Sequence, residues 1–192
     1  GFCIGDTVRD KDGVSAAAVF AEMCDALYAS PARNPEGKRV GLLAQRLDAL
    51  CRMYGFFKQC DGHFYYKETA TIDAIFARLR NGGNYWHRCG PLKIAGIRDL
   101  TGDGYDSSKV GGVPALPTSA AHMITYTFEA GGEAGGAVVT LRTSGTEPKL
   151  KYYVEVSAGS SEESSVMAQR VAEIVVAEML QPEQNGLTKK PQ

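Results

Sequence analysis

A surplus of either charge is what this chain most clearly lacks: 21 Lys and Arg stand against 22 Asp and Glu, a formal net charge of −1. A protein that grips nucleic acid needs a basic excess, so nucleic acid is not expected as a partner, and any preference for anions must be local. Long apolar runs are also missing. Nothing approaches the roughly 20 consecutive apolar residues of a membrane helix, so no membrane span is expected. The histidines, His63, His87 and His122, are far apart and lack a paired carboxylate motif, so ordinary surface or core roles are expected of them. The cysteines, Cys3, Cys24, Cys51, Cys60 and Cys89, are odd in number with no Cys-x-x-Cys pair. They are expected to be reduced thiols, buried as small hydrophobes, in a cytoplasmic compartment. No metal site and no cofactor site emerges from these residue types.

What is present is the material of a globular chain: 44% of the 192 residues are apolar, with 22 glycines and 8 prolines to punctuate them. In "VSAAAVFAEMCDALYAS", Ala16, Val19, Phe20, Met23, Cys24 and Leu27 recur at helical spacing, and Asp12 is placed to cap that helix. Pro31 and Pro35 break the pattern. A second helix follows over 37–54, with Leu43, Leu47, Leu50 and Tyr54 on one stripe and Gly55 as its stop. Two such helices cannot bury both apolar faces by themselves. They should therefore expose apolar area or pair with another copy. The chain starts at Gly1 rather than Met, and its first residues carry no helix or strand signal, so it is expected to be a piece of something longer.

From "FFKQCDGHFYYK" the pattern turns strand-like and aromatic. "ETATIDAIFARLRNGG" then gives a helix with Ile72, Ile75, Phe76 and Leu79 facing inward. Four strands are expected in "LKIAGIRDL", "AHMITYTFEA", "GAVVTLR" and "KLKYYVEVSA", the second and third joined through the glycine-rich "GGEAGG". In the last of them Leu150, Tyr152, Val154 and Val156 fall on one face, and Lys149, Lys151, Tyr153 and Glu155 on the other. Ser160 and Glu163 form a capping box for a final helix with Val166, Val171, Ile174, Val175 and Met179 as its buried stripe. The tail "PEQNGLTKKPQ" reads as polar and frayed. This order of elements describes an α+β domain. Asp99, Asp103 and Asp106 in "RDLTGDGYDSS" read as a turn rather than a calcium loop, and Tyr85 and Trp86 as core aromatics.

The densest chemistry lies between the last two strands, in "LRTSGTEPKLK". Arg142 ends one strand and Lys149 begins the next, a planar guanidinium fork and a point charge either side of a tight connection. Thr143, Ser144 and Thr146 add hydroxyl donors, and Gly145 lets consecutive N–H groups turn toward one anion. A few charge-assisted hydrogen bonds, each of about 1.5 to 3 kcal/mol, would hold a dianion without a metal. The alternative is a plain hairpin whose Ser, Gly, Thr and Pro only form the turn. The loop is not a nucleotide-binding G-x-x-x-x-G-K-[ST] element, because it holds one glycine and a strand follows it.

"RTSGTEPKLKYY" resembles the phosphate-binding loop of the α-D-phosphohexomutase superfamily, the phosphoglucomutases and phosphomannomutases. "DKDGVSAAAVFAE", "IRDLTGDGYDSS" and "LPTSAAHMITYTF" resemble its phosphoglucomutase-2 and phosphopentomutase branch. The resemblance implies four domains in a parent protein, of which 1–57 would be the end of the third, sugar-binding α/β domain. Residues 58–192 would be the fourth, a TATA-binding-protein-like antiparallel sheet of about four strands flanked by helices. It implies an isomerase in which a phosphoserine donates to a sugar phosphate, a sugar bisphosphate turns around, and a phosphate returns. Magnesium and the phosphoserine would lie outside this chain, which has no serine motif and no Asp-rich metal loop, and the piece would bind no cofactor and be inactive alone. Arg142, Thr143, Ser144, Gly145, Thr146 and Lys149 would hold the phosphate that is not reacting. Lys11 matches an active-site lysine of that branch, with Arg9 a weaker match. The partners implied are a sugar phosphate and the missing domains of the same polypeptide. The competing expectation is a free-standing, non-catalytic phosphosugar-binding or interaction module.

Overall fold

The structure, a computed structural model, describes residues 2–6, 9–29, 42–131 and 134–190. The chain divides into two units, Gly1–Tyr54 and Gly55–Gln192.

The first unit is two helices that touch one another, α1 (Gly13–Ala29) and α2 (Leu42–Tyr54). Asp12 caps α1 as expected, its Oδ1 accepting from the Val14 N–H at 2.9 Å. Neither helix buries a single residue. Of the expected stripes, Ala16, Cys24, Leu27, Leu43 and Leu50 are half-buried, whereas Val19, Phe20, Met23, Leu47 and Tyr54 remain exposed. Helical periodicity was present, but two helices offer too little surface to cover it. The expected break at Pro31 and Pro35 and the expected first turn of the second helix, 37–41, lie outside the described residues.

The second unit is an antiparallel sheet flanked by two helices, an α+β architecture. Four long strands form its middle: β4 (Leu92–Asp99), β6 (Met123–Phe128), β7 (Val138–Thr143) and β8 (Lys149–Ala158). Four short ones extend it. β1 (Phe56–Gln59) and β2 (Gly62–Tyr65) pair with the two halves of β8, while β3 (Arg88–Cys89) and β5 (Tyr105–Asp106) pair with β4. The order is β1-β8-β7-β6-β4-β3. Part of the "GGEAGG" connection, 132–133, lies outside the described residues.

Period-two alternation decides which face is core. In β8, Leu150, Tyr152, Val154 and Val156 are buried, and Lys149, Lys151, Tyr153 and Glu155 point the other way. The buried row joins one apolar cluster with α3 (Thr69–Arg80), whose Ile72, Ile75, Phe76 and Leu79 are all inside. It also meets α4 (Ser161–Val175). The α4 cap forms as the sequence indicates: Ser160 Oγ accepts from the Glu163 N–H, and Glu163 Oε2 reaches back to the Gly159 N–H at 3.0 Å. The expected stripe needs correction, because Val166 is 69% exposed. Ser164, Ala168, Val171, Ala172 and Val175 make the buried face, and position 166 is about 200° of rotation from 164.

Past α4 the chain widens into a π-turn, Val176–Leu180, and the tail then departs from expectation. Instead of fraying, residues 186–188 dock: Leu187 is buried, and Thr188 and Tyr65 exchange backbone hydrogen bonds of 2.7 and 3.0 Å. β2 offers an unpaired edge, and one apolar side chain suffices to hold a segment against it. Lys189 Nζ lies 4.0 Å from the centre of the Phe64 ring, in the wall of a cavity of about 730 Å³ that Cys60, Tyr152 and Pro182 also line. The cysteines also correct the expectation: among the described residues all five are free, but only Cys89 is buried and Cys3 is exposed.

Candidate phosphate-binding site

β7 and β8 bring Arg142 and Lys151 directly opposite each other, and Thr143 opposite Leu150. The sheet pleat puts Arg142, Lys149 and Lys151 on the face that the helices do not cover. Two cations in register are an unfavourable pair unless something anionic joins them. Among the described residues the Arg142 guanidinium has only a neutral partner: its Nη2 donates to the Tyr153 hydroxyl at 3.3 Å, and its carbon lies 5.6 Å from that ring's centre. Lys149 is held differently. Its Nζ donates to Glu147 Oε1 at 2.7 Å and sits 4.9 Å from the centre of Tyr65, with 14% of the side chain exposed. The Glu147 carboxylate and then the Tyr65 hydroxyl hold this ammonium above the ordinary lysine range. Glu147 in turn is held low, first by Lys149, with Lys151 and His63 adding their charge.

The loop between the strands is exposed from Gly145 to Pro148. Two backbone bonds hold its start: the Thr143 N–H donates to the His122 carbonyl beside β6, and the Ser144 N–H to the Lys149 carbonyl across the hairpin. The N–H groups of Gly145, Thr146 and Glu147 find no acceptor among the described residues, and neither do the hydroxyls of Thr143, Ser144 and Thr146. The loop donors, at the hairpin end that carries three cations, can receive an anion without first breaking a backbone bond, while Thr143, opposite Leu150, turns its side chain to the other face. Gly145 departs from the expected role. Its φ is outside the left-handed region, and a Cβ built on it would meet no atom within 4 Å. The turn does not require glycine; what a glycine keeps clear here is the approach to the backbone from outside. A groove of about 710 Å³ opens beside the loop, with Tyr65, Tyr66, Lys67, Thr146 and Thr188 in its wall.

The structure thus brings Arg142, Thr143, Ser144, Gly145, Thr146 and Lys149 into one hairpin end. Lys11 belongs to the other unit, where its ammonium lies 3.4 Å from Asp10 Oδ1 at an exposed surface; Arg9 is exposed as well. Sequence reading did not place Lys151 among the site residues, although its alternation with Leu150 already aimed it at the open face.

A polar network behind the loop was missed altogether. Asp99, 1% exposed, accepts from Arg80 Nε at 2.6 Å, from the Tyr85 hydroxyl at 3.0 Å and from the Thr101 N–H at 2.9 Å. Burial by itself would raise the Asp99 pKa, but the bonds from Arg80 and Thr101 outweigh it and hold the carboxyl below its usual range. Burial, with the Asp99 charge beside it, pushes the Tyr85 phenol well up. Arg80 continues to His122 Nδ1 at 3.3 Å, and His122 Nε2 lies 2.9 Å from Asp73 Oδ1. The described residues gather no group of three His, Cys, Asp or Glu side chains that could hold a metal ion. No helix among them is long and apolar enough to cross a membrane.

A scan against protein-family models finds no match. Curated proteins do match. The chain is 39% identical over 195 residues to the human glucose 1,6-bisphosphate synthase, and 43% identical over 155 residues to the mouse phosphopentomutase. It is 34% identical over 190 residues to the fission-yeast protein described as a probable phosphoribomutase. These alignments take in 97%, 79% and 97% of this chain, but only 29%, 23% and 30% of the relatives' own lengths.

Proposed function

The chain belongs to the phosphohexomutase superfamily, and from that premise we propose that it is the C-terminal part of a phosphosugar mutase, in which the hairpin 142–149 grips the phosphate that is not reacting. The observation that carries this reading is the unused donor set. Among the described residues, the N–H groups of Gly145, Thr146 and Glu147 and the hydroxyls of Ser144 and Thr146 have no acceptor, at the hairpin end that carries Arg142, Lys149 and Lys151. In such a reaction a sugar bisphosphate must turn around, so the gripping site receives either phosphate in turn. Hydroxyls and backbone donors around a dianion suit that demand, because they fix charge and distance but not the direction of the sugar. The relatives' names divide between a hexose bisphosphate and pentose phosphates, and the ligand class proposed here is the one they share, a sugar phosphate. Magnesium and the phosphoserine belong, on this reading, to the part of the parent outside this chain. The residues described here bind and position.

Two measurements test this. A coupled assay with glucose 1-phosphate and ribose 1-phosphate should show no turnover by the 192-residue chain, since neither the catalytic serine motif nor the Asp-rich metal loop that the resemblance implies is in it. Turnover would refute the division of labour. Calorimetric titration with the same phosphates should give binding that Arg142→Ala weakens by about 2 kcal/mol or more, the loss of a charge-assisted contact. Equal affinities would remove Arg142 from the site.

A further inference from the structure

We infer that His122 is a positioning residue for the phosphate-gripping hairpin, an inference that rests on the proposed role of that hairpin. The ladder pairs Met123 with Arg142, so one step further along places His122 opposite Thr143, on the helix-covered face. The Thr143 N–H donates to the His122 carbonyl at 3.0 Å, the bond that ties the last residue of β7 to the residue before β6. His122 therefore holds Thr143 from the β6 side, as Leu150 holds it from β8, and together they set where the open loop begins.

His122 is itself held from three sides. Its ring stacks on Phe76, centroids 4.4 Å apart and planes within 7°. Phe76 is fully buried in α3. Arg80 can only donate, so Nδ1 must accept from it; Nε2 then carries the proton and donates to Asp73. Arg80 is fixed in turn by the buried carboxylate of Asp99. A chain of contacts thus runs from the end of β4 through α3 to Thr143, the last residue of β7. A strand end that needed only closing would use its backbone alone. Here one side chain acts as acceptor on one edge and donor on the other, which fixes the ring against rotation as well as translation.

The amide of glutamine offers the same two functions, an oxygen to accept from Arg80 and an NH₂ to donate to Asp73. The test uses the 192-residue chain and inorganic phosphate as probe, with dissociation constants from ¹⁵N-amide shift titrations for the native protein, Arg142→Ala, His122→Ala and His122→Gln. Melting temperatures of all four are measured alongside. The expectation is that His122→Ala weakens phosphate binding about tenfold while the chain stays folded, with altered Thr143–Thr146 amide shifts already before phosphate is added. His122→Gln should restore most of the affinity. If His122→Ala binds phosphate as the native protein does while Arg142→Ala does not, the positioning role is overturned and the hairpin site stands. If Arg142→Ala also binds normally, the site fails and the inference falls with it. A His122→Ala chain that does not fold leaves the Gln variant to decide: weakened binding there, in a folded chain, overturns the two-sided hydrogen-bond account.

Discussion

At the residue scale, the most telling position is Gly145, because it demands neither a left-handed backbone nor space within the protein. Gly145→Ala should leave the melting temperature within about 1 °C, or raise it slightly by restricting the unfolded chain. It should nonetheless weaken sugar-phosphate binding at least about threefold, since the methyl stands where the ligand approaches. Equal losses in stability and affinity would mean that the loop itself needs the glycine. Asp99 supplies the opposite kind of test. Its folded pKa is depressed, so its contribution to stability is present above the unfolded value near 3.9 and is lost as pH falls through the folded value. Asp99→Asn, which strands the Arg80 charge in a half-buried place, should cost about 2 to 3 kcal/mol at pH 7 in urea unfolding. The gap to the native protein should close in acid, and a gap that persists unchanged at pH 2 would contradict the account. The cations of the hairpin were legible in the sequence, because alternation assigns each strand residue a face. The Arg80–Asp99–His122 network was not. Its members are 19 and 42 residues apart, and no local period links them.

At the scale of elements, long periodic segments were readable and short or docked ones were not. α3, the four long strands and the α4 cap follow from spacing and capping chemistry. β3 and β5 have two residues each, too few for any alternation, and exist only because β4 offers them an edge. The tail illustrates the same limit. Its composition is that of a frayed end, yet Leu187 and two backbone bonds to Tyr65 tie it along β2. Leu187→Ala should therefore cost about 2 kcal/mol of stability. It should also speed amide exchange at Tyr65 and Thr188, readable by hydrogen exchange, while the Val139 and Val154 amides remain protected. Unchanged exchange at Tyr65 would show that the strap is held by something other than Leu187.

At the scale of the whole molecule, one unit has a core, and the other buries no residue of its helices α1 and α2 among the described residues. Helices α1 and α2 keep Phe20, Leu47 and Tyr54 more than half exposed, while the second unit buries an apolar cluster that runs from Phe64 to Leu187. The chain spans less than a third of the length of the relatives it matches. On the proposed reading the work divides in the same way, with binding and positioning in the sheet unit and bond-making elsewhere in the parent. The claim on which everything else depends is that the end of the β7–β8 hairpin receives a sugar phosphate. The most direct measurement is an amide-resolved NMR titration of the native chain with glucose 1-phosphate. The account predicts saturable shifts largest at Gly145, Thr146 and Glu147, the three loop N–H groups with no acceptor among the described residues, and their loss in Arg142→Ala. Saturable shifts centred elsewhere, with those three amides unmoved, would contradict it.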